Sequence, residues 1–435
     1  MNVQAPKSML KGRVLFVSRN WPNPSATAAG WRVMQLISFF REENFQVHFA
    51  AAQTVEPVNV FDHLSRFQSH QITLNDDSFD MLITELSPEY VIFDRFMTEE
   101  QYGWRVRACC PEAVTILDTE DCHFLRSARA DYVRANPVCF EAVECCDEDL
   151  YSSLAIRELA SIWRCDLSLI ISQYEYDLLT QTFSVPEGIL HYLPLVIDNS
   201  SNPSLKKSED SNLKTWKQRR DFLWIGNRQH NPNDDSLKFL LRQLWPAIHD
   251  KLPDAELHIV GPNGTPAQNQ LIKNIKSVID FGWVDDLNSL SSCHRVNLAP
   301  LRFGAGLKGK VLQSLGTGLP TVSSTIAAEG LFIDDLTQLR PAKNESEFIA
   351  KSVSLYTNAA HWKTAQINGI QHVEQNFSKA QVFTDFKPRI SSIKHQLKRH
   401  RQAHFMGQIL QYQSLNASKY MGRWLTLKGK QLNPK

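Results

Sequence analysis

Nowhere in this chain does an apolar run approach the roughly 18 residues needed to cross a bilayer, and none of its eight cysteines forms a Cys-x-x-C pair. The first absence predicts a chain without a membrane-spanning helix. The amino-terminal region offers Lys7 and Lys11 but only the short VLFV before Ser18 and Arg19, so no secretory signal and a cytoplasmic location are expected. Seven of the eight cysteines crowd between Cys109 and Cys165, including the adjacent pairs Cys109-Cys110 and Cys145-Cys146, with His123 among them. They lack the spacing of a metal centre, read as small buried thiols on helices, and predict no structural zinc. Carboxylates are missing from the far end: Lys387 to Lys435 holds 11 Lys or Arg and no Asp or Glu, against 36 basic and 46 acidic side chains before it. Phe405, Met406, Ile409, Leu410, Trp424 and Leu425 are interleaved there. Residues 387–435 therefore suit peripheral contact with an anionic membrane surface, the simpler alternative being a solvated helix with a frayed end. No recognition fold accompanies the charge, so nucleic acid is not an expected partner.

What the chain has is alternation. Strand-like VLFVS at 14–18, VHFAA at 47–51, YVIFD at 90–94, VTILD at 114–118 and LSLIIS at 167–172 are separated by helical stretches, the longest running from about His123 to Arg164. A stretch rich in Ser, Asn, Pro and charge follows, and the alternation then resumes with FLWIG at 222–226, ELHIVG at 256–261, VIDFG at 278–282, RVNLAP at 295–300 and LPTVS at 319–323. This predicts an α/β chain with two doubly wound, Rossmann-like domains facing across a cleft. The expected boundaries are 1–192 for the first domain, 193–220 for a linker, 221–378 for the second domain, and 379–435 for a returning helix with the basic tail.

The densest chemistry lies in PLRFGAGLKGKVLQSLGTGLPTVSSTIAAEGL, from Pro300 to Leu331. Gly304, Gly306 and Gly309 permit close backbone approach, the amides and dipole of the following helix favour an anion, and Lys308 and Lys310 add charge. A helix drawn from Leu307 puts Leu307, Val311, Leu312 and Leu315 on one face and Lys310, Gln313 and Thr317 on the other. Two familiar fingerprints fit by letter only. The dinucleotide motif belongs after the first strand of its domain, although Glu329 falls at the right distance, and the P-loop needs Ser or Thr where Val311 stands.

WIGNRQHNPNDDSLKFL, LWPAIHDKLPDAELHIVG, GWVDDL and the glycine-rich segment, in that order and spacing, resemble the donor-binding half of the group-1 retaining glycosyltransferases of GT-B fold. VLFVSRNWPNPSATAAGWRVMQLISFF is similar to that family's opening strand, loop and helix. The resemblance implies metal-independent transfer of a sugar from a nucleotide-diphosphate donor, a co-substrate with no further cofactor, to a glycan or lipid-linked acceptor. It further implies retention of configuration and a place in cell-surface polysaccharide or lipopolysaccharide biosynthesis at the cytoplasmic face of the membrane. Donor-side candidates are Gly30, Asn227, Arg228, His230, Trp283, Val284, Gly304, Ala305, Gly306, Lys308, Lys310, Gln313 and Glu329. Trp283 and Val284 would meet the base through their backbone, and Lys308 would offset charge on the leaving diphosphate. Family members commonly carry two glutamates eight positions apart, the second on the donor ribose; here those places hold Ala305 and Gln313. Glutamine still accepts a ribose hydroxyl but loses the charge-assisted bond.

Past a strand end, Asp118, Asp121 and His123 stand where a doubly wound sheet exposes its chemistry. His123 resembles the family's acceptor-side histidine. His123, Asp121 and Lys308 are the catalytic candidates, with Asp94, Asp118 and Arg126 on the acceptor side and no metal ligand. Asp285 and Asp286 read as helix-start carboxylates, and Asp76-Asp77 as a turn or cap. Two other functions share this pattern: a catalytically weakened donor-binding subunit of a glycan-assembly complex, and a sugar-nucleotide epimerase.

Overall fold

The computed structural model describes residues 11–24, 28–54, 67–142, 147–197, 213–262, 264–333, 335–412, 420–422, 424–425 and 428. Seven strands form the first sheet: β1 (Arg13–Ser18), β2 (Gln46–Ala51), β3 (Gln68–Gln71), β4 (Tyr90–Asp94), β5 (Val114–Asp118), β6 (Leu167–Ile170) and β7 (Leu190–Tyr192). All pair in parallel, in the order β3-β2-β1-β4-β5-β6-β7. Their central members are apolar on both faces, as a sheet covered on both sides requires. The five-stranded second sheet contains β8 (Arg220–Ile225), β9 (Leu257–Val260), β10 (Val278–Gly282), β11 (His294–Ala299) and β12 (Thr321–Ser323), again parallel, in the order β10-β9-β8-β11-β12.

In each sheet the strand order reverses once, between β1 and β4 and between β8 and β11. The carboxyl ends at such reversals are where doubly wound sheets bind ligands.

Two elements were not legible in the sequence. β3 reads Gln-Ser-His-Gln, too polar to signal a strand, and β7 is three residues long; both are edge strands. The region from His123 to Arg164 contains the helices His123–Ala135, Asp147–Leu150 and Ser153–Arg164. Within the stretch read as a linker, Leu195 and Ile197 are buried against the second core and Arg219 is fully buried. Residues 198–212 lie outside the described ones.

The chain returns to the first sheet after the helix Ala359–Phe377. Val382, Phe386, Ile390, Ile393 and Leu397, from helices between Lys379 and Ala403, join the core beneath Phe39 and Phe40. Phe39 stacks on Phe383 at 4.7 Å. Arg401 grips Asp166 through two bonds of 2.8 and 2.9 Å, Lys387 pairs with Glu43 at 2.7 Å, and Gln411 reaches the Arg164 carbonyl. Part of the basic charge after Lys387 is thus spent on holding the chain's own helices. Phe405, Met406, Ile409, Trp424 and Leu425 are exposed, while Leu410 is half-buried. No helix among the described residues is long and apolar enough to cross a membrane.

The two halves are knit together by a segment that follows the helix His123–Ala135. Cys139, Phe140 and Ala142 pack against the second core, and the Ala142 amide donates to the Arg302 carbonyl at 2.7 Å. Arg302 in turn donates to the Pro137 carbonyl and pairs with Asp235.

Candidate functional site

A cavity of about 600 Å³ lies between the carboxyl ends of the two sheets. Its second-domain wall is the turn from Leu301 to Lys310, together with Asn227, His230, Asn233 and Gln313. The helix begins at Gly309 rather than at Leu307, with Lys308 at its cap. Val311, Leu312 and Leu315 are buried as the apolar spacing requires, while Leu307 lies in the turn before the helix. Gly306 has φ +65°, and a side chain there would meet Asp121 of the first domain at 2.8 Å. Glycine at 306 therefore serves both the turn and the close approach of the two domains.

Both lysines face the cavity. Lys308 Nζ donates to the Gly306 carbonyl at 2.6 Å and stands 3.9 Å from Glu329. Burial lowers its pKa. Lys310 Nζ donates to Asn233 Oδ1 at 2.7 Å and lies over the Trp224 ring. Burial, reinforced by Lys308, pushes its pKa down to about 7. Two ammonium groups with little compensating carboxylate at the start of a helix favour an anion.

The first-domain wall carries Asp121, His123 and Arg126 on the turn and helix after β5. Asp121 pairs with Arg126 and lies 3.4 Å from His123 Nε2. Burial pushes the Asp121 carboxyl up, but Arg126 and His123 outweigh it and hold it low. Burial moves His123 and His230 each down to about 4, so both rings are neutral near pH 7. Behind the wall, Glu158 accepts the amides of His123 and Phe124, and Glu175 accepts those of Cys122 and Gly306. One carboxyl thus ties the helix start of the first domain to the glycine turn of the second.

Several candidates fall outside the lining. Arg228 is buried against Asp280 (2.6 Å), Asn269 and the Gly261 carbonyl, which makes it a strut of the second domain. Glu329 sits behind the turn, paired with Arg129, which also donates to the Gly304 carbonyl at 2.8 Å. Gly30 lets its helix pack on the backbone of Asn23, where a side chain would come within 2.4 Å, while Ala28 and Ala29 line the cavity. Asp94 accepts from Ser18, and Asp118 is buried in an ion pair with Arg32 at 2.7 Å. Neither lines the cavity, because each is the last residue of its strand and turns back onto neighbouring elements. Trp283 is exposed and bonded to Asp285, Val284 packs on Leu223 and Val260, and Asp286 caps the next helix. Gln313 lines the cavity and donates to Asn288 Oδ1 at 3.1 Å, on the helix Leu287–Ser291 that follows that loop.

Glu120 lines the cavity without having had a signal in the sequence. Arg95 (φ +69°) and Glu120 (φ +65°) lie just beyond β4 and β5, in the left-handed region that non-glycine residues avoid. Such conformations cost on the order of 1–3 kcal/mol each and gather at functional sites.

Cys122 and Cys165 are buried, and Cys109, Cys110 and Cys139 half-buried, while Cys145 and Cys146 lie outside the described residues. Among the described residues, Asp221, Glu256 and His258 bring ligating atoms within 4.8 Å of one another, away from the cavity lining.

Residues 219–358 match the family model described as glycosyl transferases group 1. A curated relative, an uncharacterised 44.6 kDa protein in the cps region of Klebsiella pneumoniae, is 24% identical over 172 residues, 38% of this chain and 44% of its own length. The match thus spans less than half of that relative. Among solved structures, sucrose-phosphate synthase from Thermosynechococcus elongatus superposes with a TM-score of 0.65 at 14% identity, covering 89% of this chain and 100% of its own. Anabaena HepE, solved in complex with UDP and glucose, gives 0.59 at 12% identity, covering 87% and 99%. The chain has the two-domain GT-B fold, and its residues 219–358 are similar to the group 1 glycosyl transferases.

Proposed function

We propose that this protein transfers a sugar from a nucleoside-diphosphate donor to a hydroxyl of a glycan or lipid-linked acceptor, with retention of configuration, in the building of a cell-surface polysaccharide. The observation that carries this reading is the placement of Lys308, Lys310 and the glycine turn on one wall of a cavity whose opposite wall bears Asp121, His123 and Arg126. The diphosphate would lie against the lysines and the start of the helix Gly309–Gly316, and the nucleoside would run past Gln313 towards the loop at Trp283. As the bond between sugar and diphosphate breaks, negative charge grows on the outer phosphate, and Lys308, with Lys310 protonated once the diphosphate is bound, stabilises that charge. The departing phosphate would take the acceptor proton on the same face of the sugar, so no protein nucleophile is required. Neutral His123, oriented by Asp121, would offer a hydrogen bond to the transferred sugar. The UDP and glucose of HepE and the cps location of the Klebsiella relative support the donor and acceptor classes. The exposed Phe405, Met406 and Ile409 support a peripheral contact with the membrane face.

A second reading, a donor-binding subunit with weakened catalysis, draws on Ala305 and Gln313, which put no carboxylate into the cavity at those positions. Incubation with UDP-, GDP- and ADP-sugars, with and without lipid-linked acceptors, separates the two. Acceptor-dependent release of nucleoside diphosphate is the expected result, lowered about 10²–10³-fold in Lys308→Ala. Binding without release favours the subunit, and donor conversion without any acceptor favours an epimerase.

A further inference from the structure

The first-domain wall has a chemistry of its own at the ends of β4 and β5. Arg95 and Glu120 leave adjacent parallel strands, Asp94 pairing in register with Asp118, and both enter the cavity with left-handed backbones. Glu120 Oε1 is buried and meets no hydrogen-bond partner among the described residues. A buried carboxyl oxygen without a partner, on a group whose pKa burial raises, held in an unfavourable conformation, is a costly arrangement for a wall with only a packing role. A ligand hydroxyl would complete it.

The neighbouring charges narrow what that ligand is. Arg126 is taken by Asp121, Arg95 stands 3.3 Å from Asp94, and Arg32 is taken by Asp118. Among the described residues these cations already face carboxylates, whereas on the opposite wall Lys310 is bonded to an amide and lies over the Trp224 ring. An anion is therefore attracted to the second-domain wall and gains little from the first.

We propose that Glu120 and Arg95 form the acceptor-recognition pair, and that the acceptor group they hold is an uncharged sugar ring. One ring hydroxyl hydrogen-bonds to the Glu120 carboxyl and a neighbouring one accepts from the Arg95 guanidinium. The proposal rests on the glycosyltransferase reading and adds to it the class of acceptor. It makes Glu120 an acceptor-binding residue and excludes a uronic acid or phosphorylated sugar at this subsite.

Saturation-transfer nuclear magnetic resonance on the full chain tests it, with UDP, GDP or ADP at saturation. The probes are methyl α-D-glucopyranoside, methyl α-D-galactopyranoside, methyl α-D-mannopyranoside and methyl β-D-glucuronide. At least one neutral glycoside should bind the wild type more tightly than the glucuronide, and Glu120→Ala should weaken it at least tenfold with nucleotide affinity within twofold of wild type. Glu120→Gly guards against a merely structural explanation. Glycine relieves the positive φ, so that variant should keep or raise the thermal midpoint while losing the glycoside. Equal glycoside binding in wild type and both variants, preference for the glucuronide, or no binding of any neutral glycoside beside bound nucleotide would each overturn the proposal. Failure of all three nucleotides to bind would instead overturn the glycosyltransferase reading beneath it.

Discussion

Lys308 and Lys310 are two positions apart and differ in what surrounds them. Lys308 has Glu329 nearby, while Lys310 has an amide, an aromatic face and another ammonium group. With its pKa near 7, Lys310 is largely neutral in the free protein at pH 8, and an anion placed against it should restore the proton. Calorimetric titration of nucleoside diphosphate at pH 8, in buffers of different ionisation enthalpy, should therefore register uptake of close to one proton. No buffer dependence would remove Lys310 from the anion site. Gln313 permits a second test. In Gln313→Glu a carboxylate would meet the ribose, and nucleotide should bind more tightly by about 1 kcal/mol; unchanged affinity would place the ribose elsewhere. The lysines were legible because glycines at fixed spacing before an amphipathic segment signal their own backbone. Glu120 was not, because a positive φ leaves no trace in residue type. Arg228 looked equivalent to its neighbours Asn227 and His230 until Asp280, well over a turn away in sequence, turned it inwards.

At the scale of elements, the apolar strands announced both sheets, and the misses were the short polar edges β3 and β7. The end of β5 explains why its acid could be read in two ways. Asp118 ends an apolar strand facing the cleft, yet Arg32 on the helix Ala28–Glu42 reaches it, and both side chains are at most 2% exposed. Removing one partner strands the other charge. Asp118→Ala should lower the unfolding free energy by about 3–5 kcal/mol, measured by urea titration. A loss below about 1 kcal/mol, within the range of an ordinary exposed pair, would show that the pair does not hold this helix. The helices from Lys379 to Gln411 teach a related lesson: their basic residues suggested an external anion, while Arg401 and Lys387 found internal ones in Asp166 and Glu43.

The molecule as a whole buries an unusual set of titratable groups. His48, His123, His191, His230 and His294 are each lowered to about 4, chiefly by burial. The unfolded chain takes up protons first as pH falls through the ordinary value of 6.5, so these groups withdraw stability between about pH 6.5 and 4. Glu158 and Glu175, raised to about 8 by burial, act in the opposite direction and add stability as pH falls towards their ordinary 4.5. A pKa unit is worth about 1.4 kcal/mol; His70 and His404 are lowered too, and Asp118, Glu120 and Glu141 raised, so seven depressed histidines outnumber five raised carboxyls. The thermal midpoint should therefore fall between pH 6.5 and 5, and a rise across that interval would contradict the neutral burial of the histidines.

The two-domain plan was visible in the repeated alternation, but the joint between the domains was not, since Glu175, Arg129 and Ala142 reach across sequence separations of more than 130 residues. Those contacts bring the lysine-bearing turn against the first domain and create the cavity. Calorimetry of the intact chain with UDP, GDP and ADP, repeated on Lys310→Ala, tests that cavity as a diphosphate site most directly. Saturable binding of at least one nucleotide, weakened tenfold or more in the variant at an unchanged thermal midpoint, is predicted; no binding by the wild type, or equal binding by both proteins, would contradict the account.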